Sequence, residues 1–452
     1  MPSLLVATFM QTPSPDRLQV LERTVIATDD RGGITAVEPE GSPVGAALLA
    51  SGTPVTRAPA GTVLLPGLVD LHVHAPQWPQ LGTGLDLPLE RWLFEHTFPL
   101  EARFADPVFA ESVWSDLVPS LLAHGTTTAV YFGTVDVAAT TSLARTATDC
   151  GQRAFVGRVA MDHPEGTPPW YRDPSAAAGI EASARSIEEV TAVDAGRGLV
   201  HPIVTPRFTP ACTDALLAGL GDLAARTGTR VQTHASESDW AHAQPMARFG
   251  VTDTTALDGF GLLRHGTVLD HANHITEADA ELIRDRGASI AHCPLSNAYF
   301  ANAVLPVRRL VRDGTRIGLG TDVAGGASPS LLRQVHEAVT ASRLLDDGVD
   351  RDRPVADRGV AGSAIDTTLA FWLATVGGAM VLDLPIGLLE PGRRFDAVLV
   401  DTTSRRGSLR VRPDIDSPER TFEKVVRLAG PPDIAAVWVD GRLAAGGVEP
   451  VA

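Results

Sequence analysis

The stretch VLLPGLVDLHVH, residues 63–74, is an apolar run that closes on two histidines two residues apart. Side chains two apart on a strand point to the same face, so His72 and His74 project together from its C-terminal end. Imidazole nitrogens are good ligands for zinc or iron, and this spacing lets one cation touch both. Taken alone the pattern also fits a polar strand end. The rest of the chain decides between the two readings.

Seven further runs follow: TTTAVYFG (126–133), RAFVGRVAM (153–161), LVHPIVTPR (199–207), TRVQTH (229–234), TVLDHANH (267–274), ASIAHCP (288–294) and RIGLGTD (316–322). Their near-continuous hydrophobicity suits strands buried on both faces. Between them lie helical patterns such as VFAESVWSDLVPSLLAHG (108–125), TDALLAGLGDLAARTG (213–228) and TEADAELIRDRG (276–287). The last two open on Thr and close on Gly, as helix caps prefer. Eight strand–helix alternations predict an α/β fold, a (β/α)8 TIM-like barrel over residues 63–382. The flanks, 1–62 and 383–452, carry short Val/Leu/Ile runs broken by Gly, Pro and Asp. RFDAVLVD (394–401) and IAAVWVDGR (434–442) read as strands, the second running into an Asp-Gly turn. The two ends are expected to form one small β-sandwich-like domain, with the barrel inserted between them.

The predicted barrel strands end on more metal ligands. His234 closes the fifth run, His271 lies at the end of the sixth, and Asp322 closes the eighth. Barrel enzymes keep their active sites on this C-terminal face. Four imidazoles and one carboxylate, from His72, His74, His234, His271 and Asp322, can enclose one divalent cation and leave a position for water. Such a cation lowers the pKa of water toward ~7. Hydrolysis of an amidine carbon also needs a group to move protons. Glu237, three residues past His234, is placed for that role. Asp322 is expected to bind metal and accept a proton from the water. His271 either binds metal or hydrogen-bonds that water.

Composition excludes several classes. The chain has 452 residues, 44% of them apolar and 20% charged, as in an ordinary globular protein. A net charge of −16 repels polyanions, which argues against nucleic-acid binding. Cys150, Cys212 and Cys293 are too scattered for a zinc ribbon or a disulfide framework, so a reducing, cytoplasmic setting is expected. The N-terminal MPSLLVATFMQTPSPDR lacks a basic n-region and is not read as a signal peptide. No window approaches the ~20 apolar residues of a membrane span. The single lysine, Lys424, lies near the C-terminus.

These motifs resemble the amidohydrolase superfamily, in its mononuclear deaminase branch, and within it the guanine deaminase group. The resemblance runs from Pro66 to about Asp401. It is carried by PGLVDLHVHAPQW (66–78), ERWLFEHTFPLEARF (90–104), GTTTAVYF (125–132), GQRAFVGRVAMD (151–162), IVTPRF (203–208), THASE (233–237), GASIAHCPLSN (287–297) and IGLGTDVAGG (317–326). The metal motifs are shared across the superfamily, whereas HAPQ, TFPLE and VTPRF are narrower. The resemblance implies conversion of guanine to xanthine and ammonia, with His72, His74, His234, His271 and Asp322 at the metal and Glu237 as catalytic carboxylate. It assigns Gln77, Arg207 and Phe208 to the purine, and it implies a homodimer. Related barrels bridge two metals through a carbamylated barrel lysine. Lys424 lies outside the barrel pattern, which leaves a one-metal site, with zinc expected and iron as the alternative.

The chemistry of those residues agrees. Guanine presents O6 and N7 as adjacent acceptors, which a guanidinium such as that of Arg207 can meet. Gln77 offers a donor and an acceptor to another ring edge, and Phe208 can stack on the purine face. The chain departs from the family at Asp270-His271-Ala272-Asn273, where Ala-His-Gly is more usual, at Leu295, and along AYFANAVLP (298–306). Competing readings are deamination of a pterin, 8-oxoguanine or a triazine, hydrolysis of a cyclic amide, and a binding barrel without chemistry. His163-Pro-Glu165 matches half of the other zinc-deaminase signature, but no P-C-x-x-C follows, so it reads as a loop.

Overall fold

The run that opens the barrel divides at Pro66-Gly67. The computed structural model describes residues 3–447. Within it, Thr62–Pro66 pairs antiparallel with Ala397–Asp401 in a sheet built by the chain ends, whereas Leu68–His74 is the first strand of the barrel. Gly67 is the crossing point. A Cβ there would lie 2.3 Å from Thr127 Oγ1, so no larger residue fits without displacing the second strand.

Seven strands follow in parallel order: Thr126–Phe132, Arg153–Gly157, Val200–Pro206, Arg230–Ala235, Thr267–His271, Ser289–His292 and Arg316–Leu319. Their central residues are buried almost without exception, as strands covered by helices require. A parallel bridge between Val73 and Val323 closes the ring. It is supported by the His74 amide donating to the Val323 carbonyl at 2.7 Å and the Asp322 amide donating to the His72 carbonyl at 2.8 Å. Closure therefore happens at the C-terminal rim, among the expected metal ligands.

The helices between the strands begin and end where their chemistry dictates. Helix Asp214–Thr227 starts at Thr213, whose hydroxyl accepts from the Leu216 amide, and stops at Gly228 with φ +68°. Helix Glu277–Asp285 opens with a reciprocal capping box between Thr276 and Asp279. One continuous apolar core runs from the strands into these helices, through Leu217, Leu220 and Leu223 on one helix and Ile283 on another.

The chain ends form one eight-stranded sheet. Its order is Arg442–Gly446, Ile434–Val439, Ala397–Asp401, Thr62–Pro66, Ser3–Ser14, Arg17–Thr28 and Ile34–Pro39, with Val55–Arg57 beside Ser3–Ser14. The expected Asp-Gly turn is present: Asp440 and Gly441, at φ +54° and +74°, form the two-residue loop between paired Val439 and Arg442. Alternating residues of Ser3–Ser14 divide between two cores, Leu5, Ala7 and Phe9 in one and Leu4 and Val6 in the other. Buried Arg153, on the third barrel strand, reaches Asp396 and Asp440 at 3.3–3.4 Å and ties barrel to sheet. Lys424 sits on helix Pro418–Leu428, where it donates to Asp416 at 2.6 Å. Among the described residues, no helix is long and apolar enough to cross a membrane.

Candidate metal centre and substrate cleft

The strand ends bring the candidate ligands to one point. His74 Nε2 and His234 Nε2 stand 2.9 Å apart. His72 Nε2 lies 3.2 Å and His74 Nε2 3.5 Å from Asp322 Oδ1. His271 Nε2 is 3.9 Å from Asp322 Oδ2 and 3.7 Å from Glu237 Oε1. All six residues are buried. Their ligand atoms form three overlapping groups: His72, His74 and His234; His72, His271 and Asp322; His234, Glu237 and His271.

The rings are turned so that Nε2 points inward. His234 Nδ1 lies 2.7 Å from the Arg207 carbonyl, which can only accept, so Nδ1 carries the proton and Nε2 a lone pair. His271 Nδ1 is held by Asn297 Oδ1 at 2.9 Å. His72 Nδ1 faces Asp270 Oδ2 at 3.2 Å. Meanwhile His72 Nε2 and His271 Nε2 are buried without hydrogen-bond partners. Buried polar atoms of this kind carry a substantial cost unless something satisfies them. Burial, reinforced by neighbouring positive charge, pushes His74 and His234 well below the ordinary histidine range. Burial opposes protonation of His72 too, but the carboxylates of Asp270 and Asp322 overcome it and raise that ring to about 10. Imidazole nitrogens converging beside a carboxylate are the donor set of a divalent cation, which would displace the proton that Asp270 and Asp322 otherwise hold on His72, and they fit one.

Asp70 lies two residues before His72, but an irregularity in the pairing between Asp70 and Val73 takes it off the face that carries His74. Its carboxylate accepts from the Thr321 amide at 2.9 Å and the Thr321 hydroxyl at 2.6 Å. It thereby fixes the residue before Asp322, whose own φ is +49°.

Glu237 is not a helix-start residue. Ser238 caps helix Asp239–Phe249, and Glu237 turns inward instead. Burial, then the charge of Asp322, pushes its carboxyl up to about 8. A group poised there can hold or release a proton near neutral pH.

Beside the ligands lies a narrow cleft walled by Leu89, Trp92, Leu93, Phe208 and Phe300, with Gln77 and Arg207 as its polar groups. Phe208 is buried, its ring centroid 6.1 Å from that of His234. Arg207 makes a bidentate pair with Glu101 at 2.6 and 3.0 Å, and its guanidinium sits 5.0 Å from the Phe98 ring centroid. Gln77 Nε2 donates to the same carboxylate at 2.9 Å, and Gln77 Oε1 accepts from the Ala324 amide at 3.3 Å. One carboxylate thus aligns both polar groups. A larger cleft of about 680 Å³, lined by Arg31, Arg153, Arg197 and Asp440, opens between the barrel base and the end sheet. It holds none of the ligand groups.

The structure therefore gathers His72, His74, His234, Glu237, His271 and Asp322 at one centre, with Gln77, Arg207 and Phe208 on the adjoining cleft. Reading the sequence missed Glu101, Asp70, Asp270, Asn273 and Asn297. Glu101 ends the TFPLE phrase and so carried a local signal, whereas a pairing irregularity between Asp70 and Val73 breaks the period of two that would link Asp70 to the histidines. Asn297 carried none, because its partners lie on other strands.

A parallel barrel with imidazoles and a carboxylate converging at its C-terminal rim, beside a buried glutamate, defines a metal-dependent hydrolase. The chain belongs to the amidohydrolase family, whose family model matches residues 63–444. It is 36% identical to a probable guanine deaminase of Schizosaccharomyces pombe, over 85% of this chain and 71% of that one. Identity to the guanine deaminase of Homo sapiens is also 36%, over 84% and 82%. Among solved structures it resembles a guanine deaminase from C. acetobutylicum with bound guanine in the active site, at TM-score 0.86 and 26% identity, covering 98% and 100% of the two chains. A zinc-bound adenosine deaminase from Xanthomonas campestris superimposes at TM-score 0.80 and 25% identity, over 99% and 94%.

Proposed function

We propose that the protein hydrolyses guanine to xanthine and ammonia. The observation that carries this reading is the joint geometry of the site. A cation donor set and the raised carboxyl of Glu237 border a cleft whose two polar groups, Gln77 and Arg207, are aligned by a single glutamate. Relatives named as guanine deaminases at 36% identity support the choice of ring.

His72, His74, His234, His271 and Asp322 would hold the metal, proposed to be zinc with iron as the alternative. When bound, a divalent cation supplies Lewis-acid activation of a water nucleophile. The protein's own groups do the rest. Asp322 orients the water toward the carbon bearing the exocyclic amine and accepts its hydrogen bond; His271 either joins the metal ligands or accepts from that water, since its one lone pair, on Nε2, cannot do both. Glu237 takes the water proton and delivers it to the ring nitrogen beside that carbon. The new carbon–oxygen bond forms, the carbon–nitrogen bond breaks, and the second water proton leaves with ammonia. Arg207 and Gln77 hold the purine by its oxo and ring-nitrogen edges, and Phe208 covers a face. Because Glu101 already neutralises Arg207, the guanidinium meets a neutral ring without an unpaired buried charge. We further propose that the protein works in the cytoplasm, in purine breakdown, as a homodimer.

Ammonia release from guanine, isoxanthopterin, adenine and 8-oxoguanine by zinc-loaded protein tests the proposal. Guanine is expected to be the best substrate. No turnover of guanine alongside turnover of another ring would overturn it.

A further inference from the structure

A chain of hydrogen bonds runs from His271 to the main chain of Glu237, and it has one direction. It ends on the Glu237 carbonyl oxygen, which can only accept. Asn273 Nδ2 donates to that oxygen at 2.9 Å. This turns Asn273 Oδ1 toward Asn297, whose Nδ2 donates to it at 2.7 Å. Asn297 Oδ1 is then left to accept from His271 Nδ1 at 2.9 Å. Each amide orientation follows from the one before it, and the ring tautomer of His271 follows from the last. The proton is on Nδ1. The lone pair is on Nε2, which is buried, has no hydrogen-bond partner, and lies 3.7 Å from Glu237 Oε1.

The same chain stitches three loops together. Glu237 follows the fifth barrel strand, His271 and Asn273 leave the sixth, and Asn297 lies on the short helix Pro294–Phe300 after the seventh. The backbone along this route is costly. Ser236, His271 and Ala272 have φ values of +46°, +71° and +53°. Non-glycine residues keep such conformations only where the surroundings over-determine them. Both asparagines are buried, at 8% and 5% exposure, so water does not compete for their bonds.

We infer that Asn273 and Asn297 are positioning residues that lock the Nδ1–H tautomer of His271 and hold its Nε2 against Glu237. Their effect on turnover rests on the hydrolysis proposed above, but the tautomer does not depend on which ring is hydrolysed. Partners of this kind behind a metal-site histidine are typically worth roughly 10–100-fold in affinity or activity.

The test uses protein labelled with ¹⁵N-histidine, with the ring signals read after the metal is stripped, because zinc on Nε2 would by itself hold the proton on Nδ1. The ring-nitrogen signals of His271, assigned by their loss in His271→Gln, report which nitrogen is protonated. The wild type is expected to show the proton on Nδ1. Asn297→Leu and Asn273→Ala should lose that preference. Both should bind zinc roughly 10–100-fold more weakly in competition with a chelator, and lose kcat by a similar factor with KM within about twofold. Asn297→Asp keeps an acceptor for Nδ1–H and should restore the tautomer. Unchanged tautomer and zinc affinity in both Asn297→Leu and Asn273→Ala would overturn the inference. If Asn297→Leu does not fold, the same readings on Asn273→Ala decide the matter. A protein that shows these shifts but does not deaminate guanine upholds the positioning chain and overturns only the substrate.

Discussion

Arg207 Nη1 and Glu101 Oε2 lie 2.6 Å apart with neither residue more than 2% exposed, and a second bond of 3.0 Å completes the fork. The same carboxylate takes a hydrogen bond from Gln77. Charge compensation and cleft geometry are therefore one feature. Replacing Glu101 with Gln leaves a guanidinium buried without its counter-charge, which typically costs about 3–5 kcal/mol. Urea unfolding should show a loss of that order, and KM for guanine should rise as Gln77 loses its anchor. An unshifted unfolding midpoint would mean that water or another carboxylate replaces Glu101.

Glu237 is buried beside the ligand groups yet does not build the strand ends. The substitution Glu237→Gln keeps its shape and removes its proton. Turnover is expected to fall by about 10²–10⁴, the usual worth of a positioned acid–base group. Zinc content by elemental analysis should stay at the wild-type level. Activity close to wild type would assign the proton transfers to another group.

His74 Nε2 and His234 Nε2 are close enough to repel unless a proton or cation lies between them. Stripping the metal with a chelator should abolish ammonia release, and added zinc should restore it. Zinc should also raise thermal stability, because a ligand at about 1,000 times its Kd adds about 4 kcal/mol to the folded state. A melting temperature indifferent to zinc would contradict the donor set.

Asp253 gives a pH prediction away from the metal. Burial raises its carboxyl from 3.8 to about 6, against hydrogen bonds from the Ser236 amide and the Thr209 hydroxyl that act to lower it. Below about pH 4 both folded and unfolded states are protonated there. Between about 4 and 6 only the unfolded state ionises, so stability falls as pH rises, and the penalty is complete above about 6. Two pKa units correspond to about 3 kcal/mol. Asp253→Asn should remove this slope, since Thr209 can rotate its hydroxyl to accept from the new amide. The wild-type-minus-variant difference in unfolding free energy, followed from pH 4 to 7, measures it. A flat difference would place the Asp253 pKa near its ordinary value.

Much of the site was legible because strand and chemistry coincide. His72 and His74 share a face through a period of two, and each later ligand closes an apolar run. The histidines and Asp322 could be nominated without knowing which strands touch. The helix caps at Thr213 and Thr276 were equally local. The split of VLLPGLVDLHVH was not, because both halves are apolar. Only pairing with Ala397–Asp401 assigns Thr62–Pro66 to the end sheet.

By itself, then, the sequence determined the alternation of strands and helices, the identity of the candidate metal ligands and their place at strand ends. These follow from periodicity and residue chemistry within a few positions along the chain. Tertiary structure alone decided that Glu101 clamps Gln77 and, 106 residues further along the chain, Arg207, and that Asn297 and Asn273 fix the proton on His271. Barrel closure brings those groups within hydrogen-bond distance. Burial then makes each unsatisfied atom costly, so the orientation of one side chain settles the next.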